Sequence, residues 1–232
     1  MSTDVQVART EIIYPESDGQ PMADNTLQFR WIVTLQGNLD AQFLTDPNVF
    51  VAGDLLWYPV EGNNTIRIAP DALVVFGRPK GDRGSYLQWL ENDIAPHVVF
   101  EILSPGNRYG QMIRKFQFYE RYGVEEYYLY DPDHIELSGW IRSGSVLKEI
   151  SDVNGWVSPR LGIRFRIDEN DLQIFAPDGR PFLTYLELFE KSELNQKRAE
   201  TERQRADRLE TQLKSLGVKP EFLESGDLSG TR

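Results

Sequence analysis

The sequence predicts a mixed α/β fold, in which a central mixed β-sheet is flanked by helices. Two observations predict it. Helix-like and strand-like patterns follow one another in the order helix, several strands, helix, strand and hairpins. In addition, the run HVVFEIL at residues 97–103 is apolar except for its terminal histidine and one acid, which is typical of a strand buried on both faces. The 232 residues suffice for one such domain and an appendage.

The composition limits the functions that the chain can have. Its formal net charge of −11 argues against broad, non-specific nucleic-acid binding, which depends on Lys and Arg, but leaves room for a small basic cleft. The absence of cysteine excludes disulfides and thiolate metal sites, and fits a reducing cytoplasm. No signal peptide or membrane-spanning segment is predicted, so we expect a cytoplasmic protein.

The first third of the chain predicts an irregular arm, one helix and several strands. Residues 1–24 are polar and form the arm. Asn25 is a suitable cap for a helix whose apolar residues recur every four positions, at Leu27, Trp31, Leu35, Leu39 and Phe43. β-Branched and aromatic residues then predict strands over 49–58 and 65–76, the second bent at Pro70. A charged loop over 77–85 and a short helical turn over 86–93 follow.

The middle of the chain predicts a strand–helix–strand unit and then hairpins. The apolar strand at 97–103 is broken by SPGN, and a helix from about Tyr109 to Tyr122 ends at Gly123. Residues 124–132 predict the next strand. Antiparallel strands joined by Ser-Gly and Asn-Gly turns are expected at 134–142, 145–150 and 160–167.

A long charged helix is predicted for residues 182–216, after a mixed α/β domain at 25–181. It contains neither Gly nor Pro and is rich in Glu, Lys, Arg, Gln and Leu. An approximate heptad seam predicts a coiled coil, and with it a homodimer, through Ala199, Ala206, Leu209, Leu213 and Leu216. Residues 217–232 predict a flexible tail.

Three residues are candidates for catalytic chemistry. Asp71 follows Pro70 at the mouth of a strand, Glu101 is an acid inside an apolar strand, and Lys115 lies on the next helix. Singly, each has an ordinary explanation as a turn aspartate, a paired structural acid or a solvated lysine. Together, two carboxylates at neighbouring strand ends can bind Mg²⁺ or Mn²⁺, and a lysine beside them suits phosphodiester hydrolysis.

Other residues are weaker candidates. The backbone carbonyl of Ile102 would add a metal ligand, Gln111 and Tyr119 share a helix face with Lys115, and Asp54 is a third acid on a neighbouring strand. Charged side chains in loops beside the expected cleft are candidates for phosphate contacts, namely Lys80, Arg83 and Arg108. His97 and His134 do not have metal-ligand spacing and are expected to be structural or exposed. For Ser104 the sequence suggests a strand-end cap, because no His or Asp partner for a nucleophile is evident from it.

Several segments carry a family resemblance. GDLLWYP, APDALVVFG, PHVVFEILSPGN and RKFQFYERYGVEEYYLYDP are similar to the Uma-two family of restriction-endonuclease-like proteins, in the PD-(D/E)XK nuclease superfamily. The resemblance covers roughly residues 26–167. It implies a restriction-endonuclease-like sheet and metal-dependent DNA cleavage, with Asp71 and Glu101 as metal-binding acids. The superfamily places its lysine where this chain has Leu103, whereas the Uma-two resemblance implies Lys115. Relatives commonly carry an acid where this chain has Gln111.

Two hypotheses of different classes follow. The first is a Mg²⁺-dependent endodeoxyribonuclease that uses Asp71, Glu101 and Lys115. The alternative is a catalytically degenerate nuclease fold acting as a binding or assembly module, which Gln111, the acidic net charge and the C-terminal helix favour. A different hydrolase is less favoured because no nucleophile–base pair is evident. Target sequence and the choice of DNA over RNA stay open.

Overall fold

A computed structural model describes residues 12–106, 109–169 and 171–217. The chain divides into two compact units, residues 1–184 and 185–232. Its helices are α1 (Thr26–Gln42), α2 (Tyr109–Arg121) and α3 (Tyr185–Ser215), with a 3-10 turn at Gln88–Leu90. The described strands are β1 (Val49–Ala52), β2 (Trp57–Tyr58), β3 (Ala72–Phe76), β4 (Tyr86–Leu87), β5 (Val98–Ile102), β6 (Glu126–Asp131), β7 (Glu136–Ser143), β8 (Val146–Glu149), β9 (Arg164–Ile167) and β10 (Leu172–Phe175).

A six-stranded sheet in the order β1-β3-β5-β6-β7-β8 forms the centre of the first unit. β5 and β6 are parallel and joined through α2, whereas the other neighbouring strands are antiparallel. α1 packs against β1, β3 and β5. Residues of α1 and α2 belong to two separate buried apolar clusters, as expected for helices that cover opposite faces of one sheet. The predicted fold class, a mixed α/β sheet flanked by helices, is confirmed.

The buried face of α1 differs in part from the prediction. Asn25 caps the helix as expected, because its side chain accepts a hydrogen bond of 2.8 Å from the backbone N–H of Gln28. The buried positions are Gln28, Ile32, Leu35 and Leu39. The strict four-residue step therefore fails in the first half of the helix, since a turn of 3.6 residues shifts the face by one position.

The strands before β5 are shorter and more broken than predicted. β1 ends at Ala52, where the chain bends through Asp54 with a φ of 48°. Residues 65–71 form no strand, although Ile68 makes an isolated bridge to Trp57. β2 pairs with β4, so residues 86–87 begin as strand rather than helix. The predicted strand at 160–167 is confined to β9 and pairs with β10, not with the preceding hairpin.

The second unit contains α3, a helix of 31 residues with no buried residue. The predicted long C-terminal helix is thus present, although it begins at Tyr185 rather than residue 182. The predicted tail lies outside the described residues after Gly217, and so do residues 1–11 of the predicted arm; residues 12–24 form neither helix nor strand. Within the described residues, no helix is long and apolar enough to cross a membrane.

The packing of α1 onto the sheet gives a testable prediction. Leu39 is 0% exposed, so Leu39→Ala should lower the free energy of unfolding by about 2–4 kcal/mol in urea denaturation, through lost burial and a residual cavity. Leu44, which is 72% exposed just after the helix, provides the control, and Leu44→Ala should change it by less than about 0.5 kcal/mol. Equal effects of the two substitutions would contradict the predicted packing of α1.

Candidate active site

Asp71 and Glu101 face each other across two neighbouring strands. In the antiparallel pair β3–β5, Ala72 pairs with Phe100, which brings Asp71 opposite Glu101 just beyond the paired residues. Both side chains are buried, with 7% and 2% of their surface exposed. Oδ2 of Asp71 also accepts a 2.6 Å hydrogen bond from the backbone N–H of Ile102. The position of both acids is therefore fixed by the sheet.

Lys115 and Tyr119 of α2 provide the partners of Glu101. Nζ of Lys115 lies 2.5 Å from Oε2 of Glu101, and the hydroxyl of Tyr119 donates to Oε1. The two donors are one helical turn apart, so they reach the same carboxylate. A buried carboxylate needs such partners to be tolerated. The structure thus brings the predicted lysine to the end of β5 from the following helix.

The peptide of Ile102 is held on both sides. Its N–H donates to Asp71, while its carbonyl accepts a 2.9 Å hydrogen bond from Nε2 of Gln28. Gln28 is fixed in turn, because its Oε1 accepts from the N–H of Asp24 at 2.8 Å. A carbonyl oxygen has two lone pairs, so one remains for another partner. Sequence reasoning missed Gln28; the signal was a polar residue on the buried face of α1.

A bend after β1 brings Asp54 beside these residues. Its left-handed φ of 48° is uncommon for a residue other than glycine, and its N–H donates to the carbonyl of Pro70 at 3.1 Å. At Gly53 a Cβ would lie 3.4 Å from the carbonyl oxygen of Asp71 and 3.5 Å from Ile32. These are ordinary van der Waals distances, so the unusual backbone conformation of this bend lies at Asp54 and not at Gly53.

The acids carry more negative charge than their surroundings balance. Burial raises the pKa of Asp71 well above its ordinary value, and the charge of Glu101 raises it further, whereas Lys115 lowers it. Burial and the charge of Asp18 raise the pKa of Asp54 to about 6. The described residues thus place several carboxylates near one lysine, an arrangement that an added cation would stabilise.

Lys115 itself remains a cation. Burial alone would lower its pKa, but the charges of Glu101 and Asp71 outweigh burial and raise the pKa above its ordinary value. For Tyr119, burial and the charge of Glu101 both raise the pKa, so its phenol stays protonated and donates. At neutral pH, Glu101 therefore lies between a charged donor and a neutral donor.

A cavity of about 650 Å³ opens onto the cluster. Asp54, Asp71, Gln111 and Lys115 line it, whereas Glu101 does not and is covered by its partners on α2. Further polar side chains of its wall come from the arm, from α1, from the loop before β3 and from α2, namely Asp18, Gln20, Asp24, Gln28, Thr65, Arg67 and Arg114. This size is in the range of small-molecule and cofactor sites.

The N-terminal arm forms one wall of the cavity and is held near both of its ends. Before the lining segment, the hydroxyl of Tyr58 donates to the carbonyl of Pro15 at 2.7 Å, and the N–H of Gly62 donates to the hydroxyl of Tyr14 at 2.6 Å. After it, Ser104 donates a 2.5 Å hydrogen bond to Asp24. Ser104, which lies two residues after β5, therefore contacts the arm.

The loop cations proposed from sequence lie elsewhere. Lys80 pairs with Asp40 at 3.0 Å, and Arg83 pairs with Glu91 at 2.7 Å. Neither side chain lines the cavity. Each is instead held by a nearby carboxylate outside it. Arg108 lies outside the described residues.

The remaining candidates have structural contacts. Nδ1 of His97 accepts from the N–H of Phe76 at 3.2 Å, and His134 contacts Asp131 at the surface. Leu103 donates its N–H to the carbonyl of Tyr130 at 2.7 Å and so extends the pairing with β6.

The donor atoms at this site are of the kind that a hard cation needs. Two carboxylates and the carbonyl of Ile102 are oxygen ligands, which Mg²⁺ and Mn²⁺ prefer, and Mg²⁺ usually keeps several waters beside one or two carboxylates. Among the described residues, no group of three or more His, Cys, Asp or Glu side chains could hold a metal ion. Asp71, Glu101 and the carbonyl of Ile102 would therefore supply only part of the coordination of such an ion, and water would supply the rest.

Residues 10–168 match the family model Uma2, whose description is "Putative restriction endonuclease". The chain belongs to the Uma2 family. The match spans more than half of the chain and includes Asp71, Glu101 and Lys115. The predicted resemblance to Uma-two proteins is thereby confirmed.

Among solved structures, the chain is similar to a "putative nuclease belonging to DUF820" from Anabaena variabilis ATCC 29413. The two are 14% identical, with a TM-score of 0.41 over 56% of this chain and 70% of the other. A search of curated proteins finds no match.

The crowding of the acids predicts how stability depends on pH in a metal-chelating buffer. The pKa of Asp71 is higher in the folded chain than its ordinary value of 3.8, so the contribution of Asp71 to stability falls as pH rises above about 4. Asp71→Asn removes that charge and keeps an acceptor for Ile102. The variant should therefore become increasingly more stable than the wild type from about pH 4 to pH 8.

Urea denaturation across that pH range measures this difference. Asp133→Asn removes the same charge from an exposed turn and is the matched control. If the difference in stability between Asp71→Asn and the wild type does not change with pH, folding does not raise the pKa of Asp71 and the predicted repulsion is absent.

Proposed function

We propose that the protein is a metal-dependent endonuclease that hydrolyses phosphodiester bonds of DNA. The observation that supports this most directly is that Asp71, Glu101 and Lys115 lie together beside one cavity. Membership of a family with the description "Putative restriction endonuclease" supports the same reaction class. Neither observation alone would suffice, since a family name fixes no residue role and paired acids also occur in structural networks.

In this proposal, Asp71, Glu101 and the carbonyl of Ile102 hold a Mg²⁺ or Mn²⁺ ion. When bound, such an ion lowers the pKa of a coordinated water and neutralises phosphate oxygens. The two acids are brought together by β3 and β5, so their positions need no rearrangement of a loop. Asp54 and Gln111 line the same cavity. They are weaker candidates for contacts with the metal or with its water ligands.

Lys115 acts through its charge rather than as a base. Its raised pKa keeps it protonated at neutral pH, and an ammonium group has three donors, of which Glu101 uses one. The other donors can orient the attacking water or stabilise charge that develops on the phosphate. Tyr119 holds the second oxygen of Glu101 and thereby fixes the orientation of that carboxylate.

A specific observation favours the alternative, a catalytically degenerate binding or assembly module. Both oxygens of Glu101 already have protein donors, Lys115 and Tyr119, so Glu101 itself is satisfied without a metal ion. Gln111 stands near Lys115 on the cavity wall, where an acid would strengthen metal binding. The two proposals make opposite predictions for cleavage.

We further propose that α3 pairs with α3 of a second copy. Large apolar side chains of the predicted seam are exposed on this helix, among them Leu209, Leu213 and Leu216. An isolated helix gains little stability from its own sequence, and a heptad seam is buried only against a partner helix. A homodimer would also suit cleavage of both strands of a duplex.

Cleavage of supercoiled plasmid DNA tests the nuclease. With Mg²⁺ or Mn²⁺, the wild type should nick the plasmid, and Asp71→Asn, Glu101→Ala and Lys115→Met should each lower the rate by at least about 100-fold, because each removes a metal ligand or a charge acting on the transition state. Asp133→Asn and Lys80→Met, which alter the same residue types outside the cavity, are the controls. Metal-dependent nicking that Glu101→Ala abolishes would reject the degenerate module.

The converse result rejects the enzyme. If neither plasmid, linear duplex nor single-stranded DNA is cut, and calorimetry detects no binding of either metal, the degenerate module stands.

Light scattering tests the role of α3. In the full-length chain, Leu209→Glu combined with Leu213→Glu should reduce the mass from dimer to monomer, because it puts charges into the seam. Deletion from Lys191 onward should have the same effect. Gln204→Glu, at a heptad position away from the seam, is the control; an unchanged mass in the double variant would rule out this dimer.

A further inference from the structure

We propose that Arg67 and Arg114 bind the phosphate groups next to the bond that is cut. This inference rests on the proposed nuclease function and extends it to the contacts that position the substrate. It assigns to one cavity both the acids that would hold the metal and the cations that would hold the nucleic-acid strand.

The two arginines approach the cavity from different elements. Arg67 lies in the loop between β2 and β3, and Arg114 lies on α2, directly before Lys115. Both line the cavity that Asp71 and Lys115 also line. Phosphates bound by these two side chains would therefore belong to a strand that passes the acids.

Neither arginine is neutralised by the protein. Within the described residues, Arg67 and Arg114 make no ion pair, although acidic side chains line the same cavity. Four arginines elsewhere in this acidic chain are paired with carboxylates, namely Arg78, Arg83, Arg160 and Arg180. Other described arginines without an ion pair, such as Arg30 and Arg121, do not line this cavity. Unpaired guanidinium groups at a concave surface are available to an anionic ligand, and their planar donors match phosphate oxygens.

Contacts with the protein orient the side chain of Arg67 and leave some of its hydrogen-bond donors available. Its Nη1 contacts the hydroxyl of Tyr58 at 3.3 Å and the carbonyl of Asn64 at 3.4 Å, and its guanidinium carbon lies 5.9 Å from the centre of the Tyr58 ring. These contacts engage one of its three nitrogens. The donors on the other two nitrogens remain for a bidentate contact with phosphate.

Arg114 is exposed and shares its helix face with Gln111 and Phe118, which also line the cavity. The described hydrogen bonds and ion pairs hold no partner for its side chain. Its neighbour Lys115 is bound to Glu101 deeper in the site. Successive residues of α2 would thus serve two purposes, with Lys115 acting at the reacting phosphate and Arg114 acting on an adjacent one.

This arrangement explains how a chain of net charge −11 could bind a polyanion. The attraction would be local, from two unpaired arginines and the metal, rather than from a broad basic surface. Contacts to phosphate carry no base information, so they would position the strand without selecting a sequence. They would also make affinity depend on salt, because each neutralised phosphate releases a counterion.

Fluorescence anisotropy with labelled duplex DNA, in Mg²⁺ and over a series of salt concentrations, measures these contacts. Asp71→Asn serves as the background so that the probe is not cut. In it, Arg114→Ala and Arg67→Gln should each weaken binding about tenfold and reduce the salt slope by about one. Arg67→Gln keeps a donor for Tyr58 and Asn64, which guards against misfolding. Arg30→Ala, an exposed arginine of α1 outside the cavity, is the matched control and should change neither quantity.

Arg67→Lys and Arg114→Lys should recover part of the lost affinity, since they retain the charge but not the planar fork. With Asp71 intact, Arg114→Ala should raise KM for plasmid cleavage and leave kcat within a few-fold, whereas Lys115→Met should lower kcat.

The outcomes separate the two proposals. Wild-type affinity and salt slope in both arginine variants would overturn the phosphate contacts, even if the wild type cleaves DNA. Absence of any DNA binding by the background variant and by the wild type would overturn them as well. Loss of binding in the arginine variants, together with a wild type that cuts nothing, would support the contacts and reject the nuclease.

Discussion

The contact among Glu101, Lys115 and Tyr119 is the interaction on which the rest of the site depends. It joins the end of β5 to α2 and thereby fixes the connection between the two parallel strands of the sheet. Glu101 is 2% exposed, and leaving its charge unpaired by removing Lys115 would cost about 3–5 kcal/mol. The same lysine lowers the pKa of Asp71 and of Asp54. One cation therefore interacts favourably with these two acids and forms an ion pair with Glu101.

The neighbourhood of these acids shows features that stability alone does not favour. Asp71 is buried opposite another acid, and Asp54 occupies a left-handed backbone conformation beside it. A bound divalent cation would relieve the repulsion among carboxylates that the fold holds in place. The proposed metal would therefore offset the destabilisation that these acids cause in the metal-free protein.

For the proposed binding of phosphate, the distribution of charged side chains matters more than the net charge of the chain. The chain is strongly acidic, yet its cavity combines acids, a lysine bound to one of them and two arginines without ion pairs among the described residues. Cations that looked available from sequence, Lys80 and Arg83, are paired with Asp40 and Glu91. A lysine or arginine that a carboxylate already holds is less available to bind a phosphate. The total number of Lys and Arg residues does not show which of them remain available.

The sequence by itself determined the fold class, the order of the main elements and the interest of Asp71 and Glu101. These follow from local signals, namely apolar periodicity, the Asn25 cap and an acid in an apolar strand. The breaks between Ala52 and β3, the bridge of Gln28 to Ile102 and the arm along the cavity came only from the tertiary structure. So did the meeting of Lys115 with Glu101, which the family resemblance had implied without a geometry. The reason is physical, because such contacts join residues 14, 31 and 74 positions apart, and no local pattern encodes which distant side chain will satisfy a buried polar group.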